Sequence, residues 1–366
     1  MKSMPAITGI GLVSVLGQTA ARTWDALLAG DSIADHARVA GFSGPDRAIP
    51  MAAQAASEAL AHARWTSADC GRPDSGLFVG TSKGAIESWF HPPAPDVHPG
   101  LIGLAQIDHE LSRILKFGIG PRLTLSSACS SGLHALLRAV MAIESGEAKR
   151  VLVVAVEASV HPLFISSFHR LGVLAPEGHG CRPFDRRRRG FLVAEAAAAV
   201  CLESSEDSPA RPLARIDRWA VGSDGTHLTG GDPQAKTLRR LLAQVGGDPV
   251  GGDHLDLVHA HATGTIVNDP VELAAVQTIA GKSQPILYSH KGALGHSLGA
   301  AGLISVVLNC LCHSHGIVPG NVRSTDPLAA DGLHFSRLPV RRPIHRSLAI
   351  AAGFGGPLAV VSIVGT

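Results

Sequence analysis

The run Leu125-Ser126-Ser127-Ala128-Cys129-Ser130-Ser131-Gly132 decides how this chain is read. Five β-compatible residues, Arg122 to Ser126, lead into it, and Leu133, Leu136, Leu137, Val140 and Met141 leave it at helical spacing. Cys129 is therefore expected on a strand-to-helix turn, at a helix N-terminus where unpaired N–H groups and the macrodipole stabilise a thiolate. Small flanking residues let another molecule approach the sulfur, and backbone N–H groups there can face a developing oxyanion. Taken alone, the run reads more simply as a buried structural thiol. Two histidine motifs downstream reverse that reading.

The first is His261-Ala262-Thr263-Gly264-Thr265, followed by Asp269 and Glu272, and the apolar stretch Leu255 to Ala260 runs into it. The second runs from Lys291 through His296 to Gly302, after a short strand pattern at Pro285 to Ser289 and before a long apolar helix that reaches about Leu311. Each histidine thus stands on a turn at a strand's end, where a polar side chain can face a cleft. One Cys and two His on three such turns suit a thiol enzyme whose residues are separated in sequence and assembled by folding.

Three further stretches complete a pattern: Ala6-Ile7-Thr8-Gly9-Ile10-Gly11, then Cys181-Arg182-Pro183-Phe184-Asp185 with Gly190-Phe191, then Gly353-Phe354-Gly355-Gly356. Each is weak alone. In order, with Cys129, His261 and His296 in place, they make the chain resemble the β-ketoacyl-acyl carrier protein synthases of the thiolase superfamily, the condensing enzymes of fatty acid and type II polyketide assembly. The resemblance covers nearly the whole length. It implies an α/β thiolase-like fold whose duplicated βαβ halves form a five-layered αβαβα sandwich.

The resemblance also implies roles. Cys129 accepts an acyl group from a carrier-protein thioester, in an oxyanion hole made by the N–H groups of Cys129 and Phe354, each worth roughly 3–4 kcal/mol. A malonyl thioester then loses carbon dioxide, and His261 and His296, as neutral Nε2–H donors, hold the enolate oxygen. Lys291 and Glu272 match the family's conserved pair and are read as an ion pair that orients the histidines, because a buried lysine needs a carboxylate. Asp269 supports the turn, or with Glu272 simply caps a helix. Related thiolases replace one histidine by a second, basic cysteine. Here Cys310 and Cys312 fall inside a helix and Cys181 precedes Arg182-Pro183, so condensation is expected rather than thiolysis.

Composition agrees. The hydrophobic content is 45% with only 4% aromatic residues, so the core must be built from small aliphatic side chains in close layers. With 32 basic and 30 acidic residues the charge gives no reason to expect nucleic acid. The 6 cysteines show no disulfide spacing, which suits reduced thiols and a cytoplasmic location. No leader pattern is seen at the N-terminus, and the apolar run Ala300 to Cys310 is too short for a membrane span. Among 19 histidines, Cys312-His313-Ser314-His315 lacks a second ligand pair, so no metal is expected. Gly9-Ile10-Gly11 is an incomplete dinucleotide fingerprint, and no cofactor is expected beyond the phosphopantetheine arm of acyl carrier protein. His259 is read as packed or solvent-facing. Arg186 to Arg189 forms a basic turn, solvated or a landing site for an acidic carrier protein.

Strand patterns near 6–13, 76–80, 122–127 and 150–157 alternate with helical ones near 19–30, 50–63, 101–117 and 130–145. The β-compatible run Phe191 to Glu203 follows. Ser204 to Pro212 reads as a linker, dividing the chain into an N-terminal half, 1–206, with the nucleophile and a C-terminal half, 207–366, with both histidines. The second series runs strand 213–222, helix 233–245, strand 255–260, helix 270–279, strand 285–289, helix 297–312 and strands 347–353 and 358–364.

Departures from the family pattern bear on specificity. The stretch between Val79 and Cys129 is short and Pro/Gly-rich at 91–100, Ala262 stands where Gly is customary, and Ala351-Ala352 and Pro357-Leu358 replace Ser-Phe and Thr-Asn. These leave the depth of the acyl pocket and the behaviour of the gate loop open, and suggest secondary metabolism. A chain-length-factor-like partner subunit and a non-decarboxylating acyltransferase of the same fold are the rival readings. A dimer is expected, with itself or with a related subunit.

Overall fold

The computed structural model describes residues 4–44, 46–90, 103–204, 212–246, 254–281 and 283–366. The Pro-rich stretch at 91–100 and most of the expected linker lie outside these. Strands β1 (Ala6–Ser14), β2 (Ser75–Gly80), β3 (Arg122–Leu125), β4 (Arg150–Glu157) and β5 (Ala196–Glu203) make up the first half. Between them come helices α1 (Ala20–Ala29), α2 (Ala48–Ala63), α3 (Ser67–Cys70), α4 (Glu87–Phe90), α5 (Leu104–Leu115), α6 (Ser131–Glu144) and α7 (Pro162–Arg170). The second half has strands β6 (Ala214–Ser223), β7 (Leu257–His259), β8 (Ile286–Tyr288), β9 (Ile317–Val318), β10 (Val340–Arg341), β11 (Arg346–Ala352) and β12 (Pro357–Gly365). Its helices are α8 (Lys236–Val245), α9 (Asn268–Val276), α10 (Lys291–Leu294) and α11 (Ala301–His315). These bounds match the sequence expectations closely. Helix α7, the one-turn helices α3, α4 and α10, and the small β9–β10 pair were not foreseen.

The duplication is visible in the pairing. One half runs β3-β2-β4-β5-β1, and the other, read from its own edge, runs β8-β7-β11-β12-β6. In both, the second strand pairs in parallel with the first and third, and the remaining pairs are antiparallel. The halves share a ladder at only two residue pairs, Ala6 with Arg215 and Ile7 with Ala214.

Strand alternation then builds the layers. In β4, Val151, Val153 and Ala155 face a central core filled by Leu133, Leu136 and Val140 of α6 and Leu303, Val306 and Val307 of α11. Leu152, Val154 and Val156 face the outer layer, against Ala55, Ala56 and Ala59 of α2. Likewise in β11, Ala349 and Ala351 face the centre while Leu348 and Ile350 face α8. Every position of these strands but their ends is buried, as expected when helices cover both faces of a sheet. The glycines read as an incomplete fingerprint serve this packing: a Cβ on Gly9 or Gly11 would collide with the carbonyl of Ala59 or Ala55, so β1 and α2 touch backbone to backbone. The apolar segment Leu298–His315 is longer than expected, long and apolar enough by composition to cross a bilayer, yet it is mostly buried as the central core helix.

Candidate active site

The loops that follow β2, β3, β7, β8 and β11 supply the site. Cys129 follows β3 as expected, in a turn locked by its small neighbours. Ser127 N–H donates to Ser131 Oγ (2.9 Å), Ser131 Oγ donates to the Ala128 carbonyl (2.6 Å), and Ser130 Oγ donates to the Ser127 carbonyl (2.7 Å). Ala128 is held at φ 48°, a left-handed conformation uncommon for a residue with a Cβ. Cys129 is buried in one cluster with Phe168, Phe191 and Leu298, and Phe354 packs against that cluster.

Burial works against the thiolate. The helix N-terminus was expected to favour the thiolate, but burial pushes the Cys129 thiol up to about 11, with Glu157 adding to the rise and Lys83 and the Phe354 N–H opposing it. Desolvation outweighs the nearby positive groups.

His261 and His296 come together with ring centroids 5.4 Å apart and planes at 83°. His296 is fixed by its backbone, N–H donating to the Leu192 carbonyl (2.7 Å) and carbonyl accepting from Ala194 N–H (3.1 Å), and its ring stands edge-on to Phe191 at 5.0 Å. Burial and the charge of Lys291 hold both imidazoles well below their usual pKa, with Lys83 adding to the effect at His296. Both are neutral at physiological pH. The Nδ1 of His296 has no hydrogen-bond partner among the described residues.

The expected Lys291–Glu272 ion pair is not a direct contact. Instead the two groups grip the same turn from opposite sides. Lys291 Nζ donates to the His261 carbonyl, while Glu272 accepts the N–H groups of His261 (2.6 Å) and Ala262 (2.8 Å) and the side-chain amide of Asn268 (2.9 Å). Backbone groups meet the needs that a paired charge was expected to meet. Asp269 accepts N–H groups from Phe184 (2.8 Å) and Gly264 (3.1 Å), tying the Arg182-Pro183-Phe184 loop to the histidine turn, and burial raises its carboxyl to about 7. Burial lowers Lys291 to about 8, against the pull of Glu272.

Several site residues escaped the sequence reading. Lys83, after β2, lies near Cys129, and Glu157, buried at the end of β4, accepts from Ser82, Ser159 and Gly299. His259 is packed, not solvent-facing: its Nδ1 meets Asn309 Oδ1 (2.9 Å) and its Nε2 meets His290 Nδ1 (2.8 Å). The pair is fixed in one proton order, because Asn309 uses its amide nitrogen on the Leu348 carbonyl and so presents only its oxygen. Within the basic turn, Arg188 binds the Thr265 and Ile266 carbonyls and steadies the histidine loop, while Arg186, Arg187 and Arg189 are exposed. All six cysteines are free and buried, and the described residues hold no cluster able to bind a metal ion.

The site thus joins a cysteine at a strand-to-helix turn to two adjacent buried histidines through Phe191, which packs in one cluster with Cys129 and stands edge-on to His296. The chain matches the N-terminal domain of the β-ketoacyl synthases over residues 43–208 and their C-terminal domain over 213–325, and it belongs to that family. It is 35% identical over 232 residues to the 3-oxoacyl-[acyl-carrier-protein] synthase 2 of Mycobacterium tuberculosis (strain ATCC 25618 / H37Rv), covering 59% of this chain and 54% of that one. The match therefore spans about half of the relative's length. The fold superposes over the whole of both chains on an ishigamide ketosynthase/chain length factor structure (26% identity, TM-score 0.87). It does so equally on the AntDE:AntF structure, a type II polyketide synthase carrier protein in complex with its ketosynthase (22% identity, TM-score 0.89).

Proposed function

We propose that the protein is a β-ketoacyl-acyl carrier protein synthase, catalysing the decarboxylative condensation of a Cys129-bound acyl group with a malonyl thioester. The observation that supports this is a buried cysteine turn from one half and two adjacent buried imidazoles from the other, with Phe191 packed in the cysteine's cluster and edge-on to His296. In the first step the Cys129 sulfur attacks the acyl thioester carbonyl, and the oxyanion is held by the N–H groups of Cys129 and Phe354. The carrier thiol leaves with the proton that Cys129 gives up. In the second step the malonyl thioester oxygen accepts Nε2–H donors from His261 and His296. The bond to the carboxylate breaks, carbon dioxide leaves, and its electron pair forms the enolate. The enolate carbon then attacks the acyl carbonyl, and Cys129 departs as thiolate to regain a proton.

Neutral histidines suit this role, since an N–H donor without net charge strengthens its hold only as the oxygen becomes negative. Lys291, Glu272 and Asp269 act as positioning residues through the backbone of the His261 turn. Acyl carrier protein is the expected partner, with the exposed Arg186, Arg187 and Arg189 as its landing site, and a type II polyketide or related secondary pathway in the cytoplasm is the expected setting. The dimer is expected through β3, which ends the sheet with half-exposed residues while the other end, β8, is covered by His334. Retention of Cys129 and both histidines favours a catalytic subunit over a chain-length-factor-like one.

Incubation with an acyl carrier protein thioester should add one acyl mass to the protein, and Cys129→Ser should abolish the adduct. Label on Cys181 or Cys310 would show the nucleophile to be misassigned.

A further inference from the structure

Lys83 is the cation of this site that the reaction above leaves unused. It stands on the loop after β2, the neighbour of the nucleophile's strand β3. The two loops leave the sheet together: Thr81 N–H donates to the Leu125 carbonyl (3.1 Å), and Ser126 Oγ donates to the Ser82 carbonyl (3.5 Å). In the duplicated second half, the corresponding loop after β7 carries His261. The ammonium of Lys83 lies over the rings of Phe164 (5.4 Å) and Phe168 (5.9 Å), and Phe168 packs in one cluster with Cys129.

An ammonium has three donors. Lys83 directs one to Ser82 Oγ (3.1 Å), and among the described residues no carboxylate lies within ion-pair distance of it. The acid linked to it through Ser82, Glu157, is already taken up by Ser82, Ser159 and Gly299. A half-buried cation on an aromatic wall, with donors to spare and the nucleophile alongside, is arranged to receive a negative oxygen from a ligand.

Two such oxygens come near Cys129 in a condensation: the malonyl carboxylate, and an anionic oxygen on the acyl chain itself. The first is disfavoured. Decarboxylation moves negative charge off the carboxylate, so a cation paired with it would stabilise the ground state over the transition state and slow the step. An acyl chain raises no such conflict.

We propose that Lys83 binds a carboxylate, or an enolised β-keto oxygen, carried on the acyl group of Cys129, so that the site selects oxygenated acyl chains over plain alkanoyl chains. This rests on the condensing-enzyme reading. The β-keto product of each condensation is itself a chain of the selected class.

The test uses the intact protein and carrier-protein thioesters of equal chain length, hexanoyl and adipoyl, with the rate of adduct formation on Cys129 read by mass spectrometry. Adipoyl should react faster by about tenfold, the effect of one charge-assisted hydrogen bond. Lys83→Met should bring the ratio of the two rates close to one, and Lys83→Arg should keep it; circular dichroism checks that both variants fold. A wild-type ratio near one, or a ratio that survives in folded Lys83→Met, overturns the proposal. So does an equal fall with both thioesters, which would make Lys83 an activator of the thiol. The malonyl source is separated by carbon dioxide release in a Cys129→Ala background, where a loss on adding Lys83→Met would assign the cation to the malonyl carboxylate instead. If neither thioester labels Cys129, the condensing-enzyme reading fails and this proposal with it. Labelling without discrimination removes the proposal alone.

Discussion

At the scale of single residues, the proposed mechanism separates two jobs that one cysteine protease histidine would combine. If His261 and His296 hold the malonyl oxygen, as proposed, replacing either by alanine should leave acylation of Cys129 largely intact. Carbon dioxide release from malonyl carrier protein should fall by about 10²–10³, the cost of one lost oxyanion donor. Equal loss of both steps would mean that the histidines act on the thiol. The thiol itself gives a second test. Burial disfavours its charged form, so at neutral pH it is protonated, and its thiolate fraction grows about tenfold per pH unit until the pKa is reached. Alkylation by iodoacetamide should therefore keep rising toward pH 11, the value that burial imposes. A plateau near pH 8 would show that Lys83 and the helix N-terminus outweigh desolvation after all.

The elements explain what could be read in advance and what could not. The turns bearing Cys129, His261, His296 and Phe354 were legible because small residues and glycines must surround a reacting atom, and they do so in short contiguous runs. Helices and strands were legible by period, with bounds mostly within a few residues. Lys83 was not, because its meaning comes from lying next to β3, and strand adjacency across some forty residues leaves no local mark. The Lys291–Glu272 expectation named the right residues and the wrong contact, since sequence cannot show that backbone groups of the His261 turn lie between them. The effect of burial on the thiol was hidden for the same reason: a helix N-terminus is written locally, whereas burial is a property of everything folded around it. The packing of α6 on α11 offers a test at this scale. A Cβ on Gly302 would stand 2.9 Å from Leu133 Cβ and 3.2 Å from Ala351 Cβ. Gly302→Val should overpack this seam and destabilise the fold by about 1–3 kcal/mol, read as a lowered midpoint in urea. An unchanged midpoint would mean that the central layer yields more readily than close packing implies.

For the whole molecule, assembly is the open quantity. An obligate interface along β3 should bury more than roughly 2,000 Å² in total, and sedimentation at micromolar concentration should give about twice the chain mass of 37.8 kDa. A stable, active monomer would refute this, and a chain that becomes active only on adding a related subunit would point to a heterodimer. The repeated strand order carries a consequence of another kind. Cys129 follows β3 and His296 follows β8, and these strands hold the same place in their respective copies. A symmetric pair of single-copy ancestors would have had to present the same residue at both turns. A single polypeptide is free of that restriction, and here one turn carries sulfur while its counterpart carries an imidazole. The two half-sheets thus match in strand order and differ at the loops after their outer strands, which a symmetric assembly of identical copies could not do.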